Sequence, residues 1–121
     1  MGLNIYLDSH DIHISYGTFD NLKLEIARCA GIDLITHGAR GDKAIWSVSS
    51  DEQDDLAIFL REHHRLTPEE CLKVGNRLVQ IRDKVESFIM NNVEKDAKLL
   101  VDKLISIMKC AVCKGEDLQF C

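Results

Sequence analysis

A chain of 121 residues, 45% of them hydrophobic and 29% charged, falls in the commonest size range for one domain and carries enough apolar material for a packed core. A single domain over residues 1–121 is therefore expected. The formal net charge of −5 argues against a general nucleic-acid binder, which presents a basic excess or a basic face, and against adhesion to anionic membranes.

In chain order, Leu3, Ile5 and Leu7 alternate with Asn4 and Tyr6, and Ile12, Ile14 and Tyr16 alternate with His13 and Ser15. Period-two patterning on both sides of Asp8-Ser9-His10-Asp11 predicts an antiparallel hairpin. Thr18 is placed to cap a helix with the inward stripe Phe19, Leu22, Ile26 and Cys29. Gly31 would end that helix as a left-handed cap, with Ile32 making the accompanying apolar contact. Residues 36–43 form a Gly-containing loop, and Ile45, Trp46 and Val48 beyond it a short strand. Two overlapping capping boxes over residues 49–53 open a helix with Leu56, Phe59 and Leu60 inward. His63-His64-Arg65 suits the C-terminal turn of that helix, where positive charge complements the dipole.

The sharpest signal is Leu66-Thr67-Pro68-Glu69-Glu70, which holds the chain's one proline. Thr67 caps, Pro68 takes the first helical position where its missing N–H costs nothing, and Glu70 closes a capping box. From there Cys71, Val74, Leu78, Ile81, Val85 and Phe88 recur at spacings of three and four, predicting a helix over 67–91. Asn91-Asn92-Val93-Glu94 breaks it and caps a second helix over 93–113, apolar over a wider arc that includes Leu104, Ile105 and Met108. The short break implies an antiparallel helical hairpin. Leu118-Gln119-Phe120 alternates again and is expected as an edge strand against residues 3–7. The fold class that follows is α+β, a small antiparallel sheet packed on an antiparallel pair of long C-terminal helices.

Chemistry is harder to locate. Cys110-x-x-Cys113 resembles a redox pair, but that chemistry needs the helix N-terminus to lower a thiol pKa, and here the pair ends a helix. A structural zinc would need two further ligands, which Cys121 and a histidine would have to supply. Asp8, His10, Asp11 and His13 concentrate metal-competent groups in one turn, and match no helix-borne metalloprotease spacing. The loop His37-Gly38-Ala39-Arg40-Gly41-Asp42-Lys43 is the most site-like stretch. Gly38 and Gly41 allow close backbone approach, Arg40 and Lys43 supply charge, and Trp46 an apolar wall; His37, Tyr16 and Arg28 would complete the set. An acidic protein with two cations beside its one tryptophan creates a local anion site, suited to a phosphorylated small molecule. Against this, a plain surface loop contains the same residue types. No Gly-x-Ser-x-Gly elbow is present, and no catalytic residue and no resident cofactor or metal is assigned.

Targeting signals are not expected. Residues 1–6 have neither a basic segment nor a long apolar run, Tyr6 stands where a myristoylation motif wants Ser or Thr, and Cys121 is not placed for prenylation. No apolar run reaches the ~18 residues of a membrane span, since Asp102 and Lys103 interrupt the richest one. The odd set of five cysteines fits a reducing compartment, and the expected location is cytoplasmic.

Met1-Gly2-Leu3-Asn4-Ile5, then Ser15-Tyr16-Gly17-Thr18-Phe19, then Leu66-Thr67-Pro68-Glu69-Glu70-Cys71, then Leu118-Gln119-Phe120-Cys121 together resemble a family of small uncharacterised bacterial and phage-type proteins. Those open Met-Gly-Leu-Asp/Asn, pass through a Ser-Tyr-x-x-Phe stretch and close near Phe-Cys. The resemblance implies a bacterial or mobile-element protein and no particular activity.

The leading expectation is a non-enzymatic protein that acts by binding a macromolecular partner, a protein rather than a nucleic acid or a membrane. The wide arc of the last helix, with Ile105 and Val112, also suggests a homodimer. The alternatives are a small-ligand or nucleotide-binding protein with its anion site in the 36–46 loop, and a zinc-binding protein using His10, His13 and the terminal thiols.

Overall fold

The computed structural model of the chain describes residues 2–7, 10–37, 45–48, 54–60 and 65–120, and its architecture is α+β. Strands β1 (Gly2–Tyr6) and β2 (Asp11–Ser15) form the expected antiparallel hairpin, in register from Gly2 opposite Ser15 to Tyr6 opposite Asp11. The alternation sorts the faces: Leu3, Ile5 and Ile14 are buried, while Asn4, Asp11 and His13 face solvent.

Helix α1 (Tyr16–Ala30) follows at once. Its cap is Ser15 rather than Thr18: the Ser15 Oγ accepts the Thr18 N–H at 3.2 Å and its hydroxyl donates to Thr18 Oγ1 at 2.7 Å. Phe19, Leu22 and Ile26 are buried as expected, joined by Ala27, whereas Cys29 is only half-buried. Gly31, at φ 72°, ends the helix, and the Ile32 N–H closes the turn on the Ala27 carbonyl at 2.9 Å.

Strands β3 (Leu34–His37) and β4 (Ile45–Val48) pair antiparallel as a separate two-stranded sheet. The short α2 (Leu56–Leu60) buries Leu56, Ala57, Phe59 and Leu60. Asp54 begins it by accepting the Leu56 N–H at 3.0 Å, and also holds Arg77 at 2.9 Å. The capping boxes read over residues 49–53 and the pair His63-His64 lie outside the described residues.

After β5 (Arg65–Leu66) comes α3 (Pro68–Ile81), with the capping box complete: Thr67 Oγ1 accepts the Glu70 N–H at 3.2 Å and the Glu70 carboxylate accepts the Thr67 N–H at 2.9 Å. The expected helix over 67–91 is nevertheless corrected, because it ends at Ile81. A 3₁₀ turn over Arg82–Lys84 follows, then an antiparallel hairpin of β6 (Phe88–Met90) and β7 (Val93–Lys95). Asn91 and Asn92 sit between them at φ 51° and 65°. Two successive left-handed residues make a type I′ turn, whose twist matches the flanking strands. Val85, placed on the helical seam by its spacing, is buried from extended backbone instead.

The cap of the last helix is corrected too. It is Asp96, whose carboxylate accepts the Leu99 N–H at 3.1 Å, and α4 runs Ala97–Lys114 before Gly115 at φ 65°. Its wide apolar arc is used within the chain: Ile105 is 8% exposed and Leu104, Ile107 and Met108 are buried. Helices α3 and α4 run side by side in opposite directions. Gly75 backs onto Met108, where an added β-carbon would stand 3.7 Å from the Met108 Cβ, and Arg82 near the end of α3 donates to Asp102 near the start of α4 at 2.8 Å.

Strand β8 (Leu118–Phe120) returns against β1 with Ile5 opposite Phe120, as expected, but it is not an edge. Leu66 of β5 pairs with Leu118 on its other side, giving the order β2-β1-β8-β5. Among the described residues, a cluster of buried side chains joins this sheet to helices α1, α2, α3 and α4. Within it Phe59 meets Phe19 edge-to-face at 5.8 Å and Phe120 at 6.4 Å.

Candidate functional site

Two residues of the expected anion site have described side chains, and they stand apart. Tyr16 opens α1 and Arg28 lies near its end, so about 18 Å of helix separates them. Arg28 is engaged elsewhere: its guanidinium holds Glu25 through two hydrogen bonds of 2.9 and 2.6 Å, and the same carboxylate accepts the Glu86 N–H at 2.7 Å. The Arg28 guanidinium keeps the Glu25 carboxyl below its ordinary range, overcoming the opposing effect of burial. Arg28 thus ties the segment after α3 to α1. His37 pairs with Ile45 and Trp46 with Thr36 in the β3–β4 ladder, which brings both to one hairpin. Gly38, Arg40, Gly41 and Lys43 lie outside the described residues.

The cysteines separate into different surroundings. Burial pushes the Cys71 thiol up to about 11, with Glu70 and Asp117 adding to the shift, so it is protonated and unreactive at neutral pH. Cys110 and Cys113 occupy the last turns of α4 and open on different cavities. Cys113, exposed, lines a groove of about 230 Å³ between α3 and α4 together with Cys71, Leu72, Gly75 and Val112. Cys110 faces the other way, towards the N-terminal hairpin. Among the described residues, no group of three His, Cys, Asp or Glu side chains is placed to hold a metal ion.

That hairpin and α4 enclose the more structured cavity, about 400 Å³ in volume. One wall is four consecutive residues of β2 and its approach, His10, Asp11, Ile12 and His13. The other is Lys103, Ser106, Ile107 and Cys110, whose spacing of three, four and seven is one helix face. Side chains of a strand alternate between faces, so a cavity that touches four in succession follows the strand's edge rather than either face. His13 is turned back onto the hairpin, its Nδ1 hydrogen-bonded to Asn4 Oδ1 at 2.7 Å. Cys110 makes no hydrogen bond to either histidine, so a thiol–imidazole pair of the kind that activates a nucleophile is not formed. Lys103 is exposed and has no ion-pair partner among the described residues.

The zinc-binding alternative joins His10 and His13 to the terminal thiols, and the structure does bring His10, His13 and Cys110 to one cavity, without a metal-holding group among the described residues. Lys103 and Ser106, which complete the wall, read only as the polar flank of an amphipathic helix.

No protein-family model matches the chain, and no curated protein and no solved structure matches it. No helix among the described residues is long and apolar enough to cross a membrane.

Proposed function

We propose that the chain is a non-enzymatic binding protein that recognises a protein partner through the cleft between β2 and α4. In this reading the four-stranded sheet rests on the α3–α4 pair, and the cleft is the open seam where the sheet's first strand passes the last helix. The observation that carries it is the composition of the cleft: the apolar side chains of Ile12 and Ile107, flanked by the polar groups of Lys103, Ser106, His10, Asp11 and His13. Mixed lining with an apolar centre and a polar rim is the anatomy of a recognition surface. Among the described residues, a metal cluster or a nucleophile hydrogen-bonded to its base is not assembled there. The acidity of the chain and its free thiols accord with a partner met in a reducing compartment, and the bacterial or mobile-element origin remains part of the same proposal.

The test uses the intact chain as bait in a lysate of its own host. Ser106→Trp fills the cleft from an exposed position, and Leu99→Trp alters an exposed position nearer the start of the same helix. A protein retained by wild type and by Leu99→Trp, and reduced at least about tenfold by Ser106→Trp, supports the reading. Tenfold corresponds to about 1.4 kcal/mol of binding, well within the reach of one blocked contact. If every retained protein ignores Ser106→Trp, the cleft is not the docking site.

A further inference from the structure

We propose that the occupant of the β2–α4 cleft is an extended peptide segment that adds antiparallel to β2 as a fifth strand and places a carboxylate over Lys103. This rests on the protein-binding reading above and names its mode and chemistry. The starting point is the sheet order β2-β1-β8-β5, in which β2 is an edge among the described residues. The Leu7 N–H donates to the His10 carbonyl at 2.8 Å, closing the hairpin with a hydrogen-bonded pair. In an antiparallel ladder such pairs alternate with non-bonded ones. The register then gives hydrogen-bonded pairs at Ile5 with Ile12 and at Leu3 with Ile14, and leaves Tyr6–Asp11 and Asn4–His13 as the non-bonded pairs. The side-chain hydrogen bond between His13 and Asn4 fits this, because side chains approach closest across non-bonded pairs. The backbone N–H and C=O groups of Asp11 and His13 therefore point away from β1, into the cleft. Two donors and two acceptors on an open edge are what an added strand uses.

The second wall fits the same occupant. Lys103, Ser106, Ile107 and Cys110 extend over about 10 Å of helix, and residues 10–13 over about 10 Å of strand, so both walls match three to four residues of extended chain. The added residue opposite Ile12 shares its face and is directed at Ile107, which calls for an apolar side chain. The next residue on that face is two positions away, at about 6.7 Å, and Lys103 is one helical turn from Ile107, at about 6 Å. An acidic side chain, or the C-terminal carboxylate of the peptide, lies within reach of the Lys103 ammonium there. Among the described residues Lys103 has no ion-pair partner, Asp11 of the same lining included, so its ammonium is placed to take a carboxylate from the occupant.

The experiment selects peptides from a displayed random library on the purified chain, then measures the winner by titration. The expected consensus is an apolar residue with Asp, Glu or a free C-terminus two positions away. Lys103→Glu, at an exposed position, should reverse the preference to Lys or Arg. An N-methyl scan of the peptide reads the backbone directly and leaves the protein untouched. Methylation of the residues opposite Asp11 and His13 should weaken binding about tenfold each, and methylation of the residue opposite Ile12 should be tolerated, since its N–H points away from β2. Selection of no peptide, a flat response to the scan, or a consensus unmoved by Lys103→Glu would overturn the proposal. If a host protein were still lost from Ser106→Trp bait in that case, the partner-binding reading would stand while strand addition fell. A chain that is dimeric by light scattering and made monomeric by Ser106→Trp would identify the occupant as a second copy, and would equally overturn the peptide assignment.

Discussion

The Glu25 carboxylate accepts from the Arg28 guanidinium one helical turn away and from the Glu86 N–H, 61 positions along the chain. Both bonds favour the ionised form, the one to Arg28 most strongly, and the folded-state pKa falls below its ordinary value. In the unfolded chain the group titrates normally. The clamp's contribution to stability is therefore complete above the unfolded value and is lost as pH falls through the lower, folded one. Glu25→Gln is expected to lower the urea midpoint at pH 7, with the gap to wild type closing as pH falls through and below the ordinary carboxylate range. A gap of constant size across that range would show that the charge is not what holds residues 84–86 to α1. Arg28 shows the limit of reading single residues from sequence. Its cationic chemistry was visible, but its partner Glu86 belongs to a segment that no local pattern connects to α1. The placement of Cys110 and Cys113 was legible, since both fall in the last turns of α4.

Elements were legible where one signal stood alone, and misread where two competed. Thr67, Pro68 and Glu70 fixed the start of α3 to the residue, because capping, a restricted φ and a reciprocal hydrogen bond agreed. Beyond Ile81 the spacing of Val85 and Phe88 continued the helical period, while Asn91-Asn92 followed by Val93 had the form of a hairpin turn. The turn prevails because asparagine tolerates the left-handed region and the short β6–β7 ladder anchors on α1: Met90 approaches Gly17, and its Sδ accepts from Asn21 Nδ2 at 3.4 Å. Position 92, at φ 65°, gives a direct test. Asn92→Gly should leave stability unchanged or raise it, whereas Asn92→Val should cost about 1–2 kcal/mol, the strain of a β-branched residue held in the left-handed region. Equal effects of the two substitutions in urea denaturation would rule out the type I′ turn.

Across the whole molecule, the class was readable and the order of the sheet was not. Hydrophobic alternation announces β1, β2 and β8, but β5 is the pair Arg65–Leu66, too short to show any period, and it converts β8 from an edge into an interior strand. At the other end of the sheet β2 is an edge among the described residues and lies beside α4, so the candidate cleft is a product of topology that no motif encodes. The α3–α4 seam, by contrast, was visible in the spacing of Cys71, Val74, Leu78 and Ile81, all 0–1% exposed. Leu78 is the central test of that seam, since it is fully buried on the α3 face that also carries Val74 and Ile81. Truncation removes three carbons and leaves a void between two helices whose approach is already fixed by Gly75 on Met108 and by the Arg82–Asp102 pair. Such a site relaxes poorly, so Leu78→Ala should lose about 2–5 kcal/mol. Urea unfolding with an unchanged slope would assign the loss to the native core rather than to a more compact unfolded state. A loss below about 1 kcal/mol, outside the range for a buried leucine, would mean that the helices close over the gap and that the seam is not a rigid part of the core.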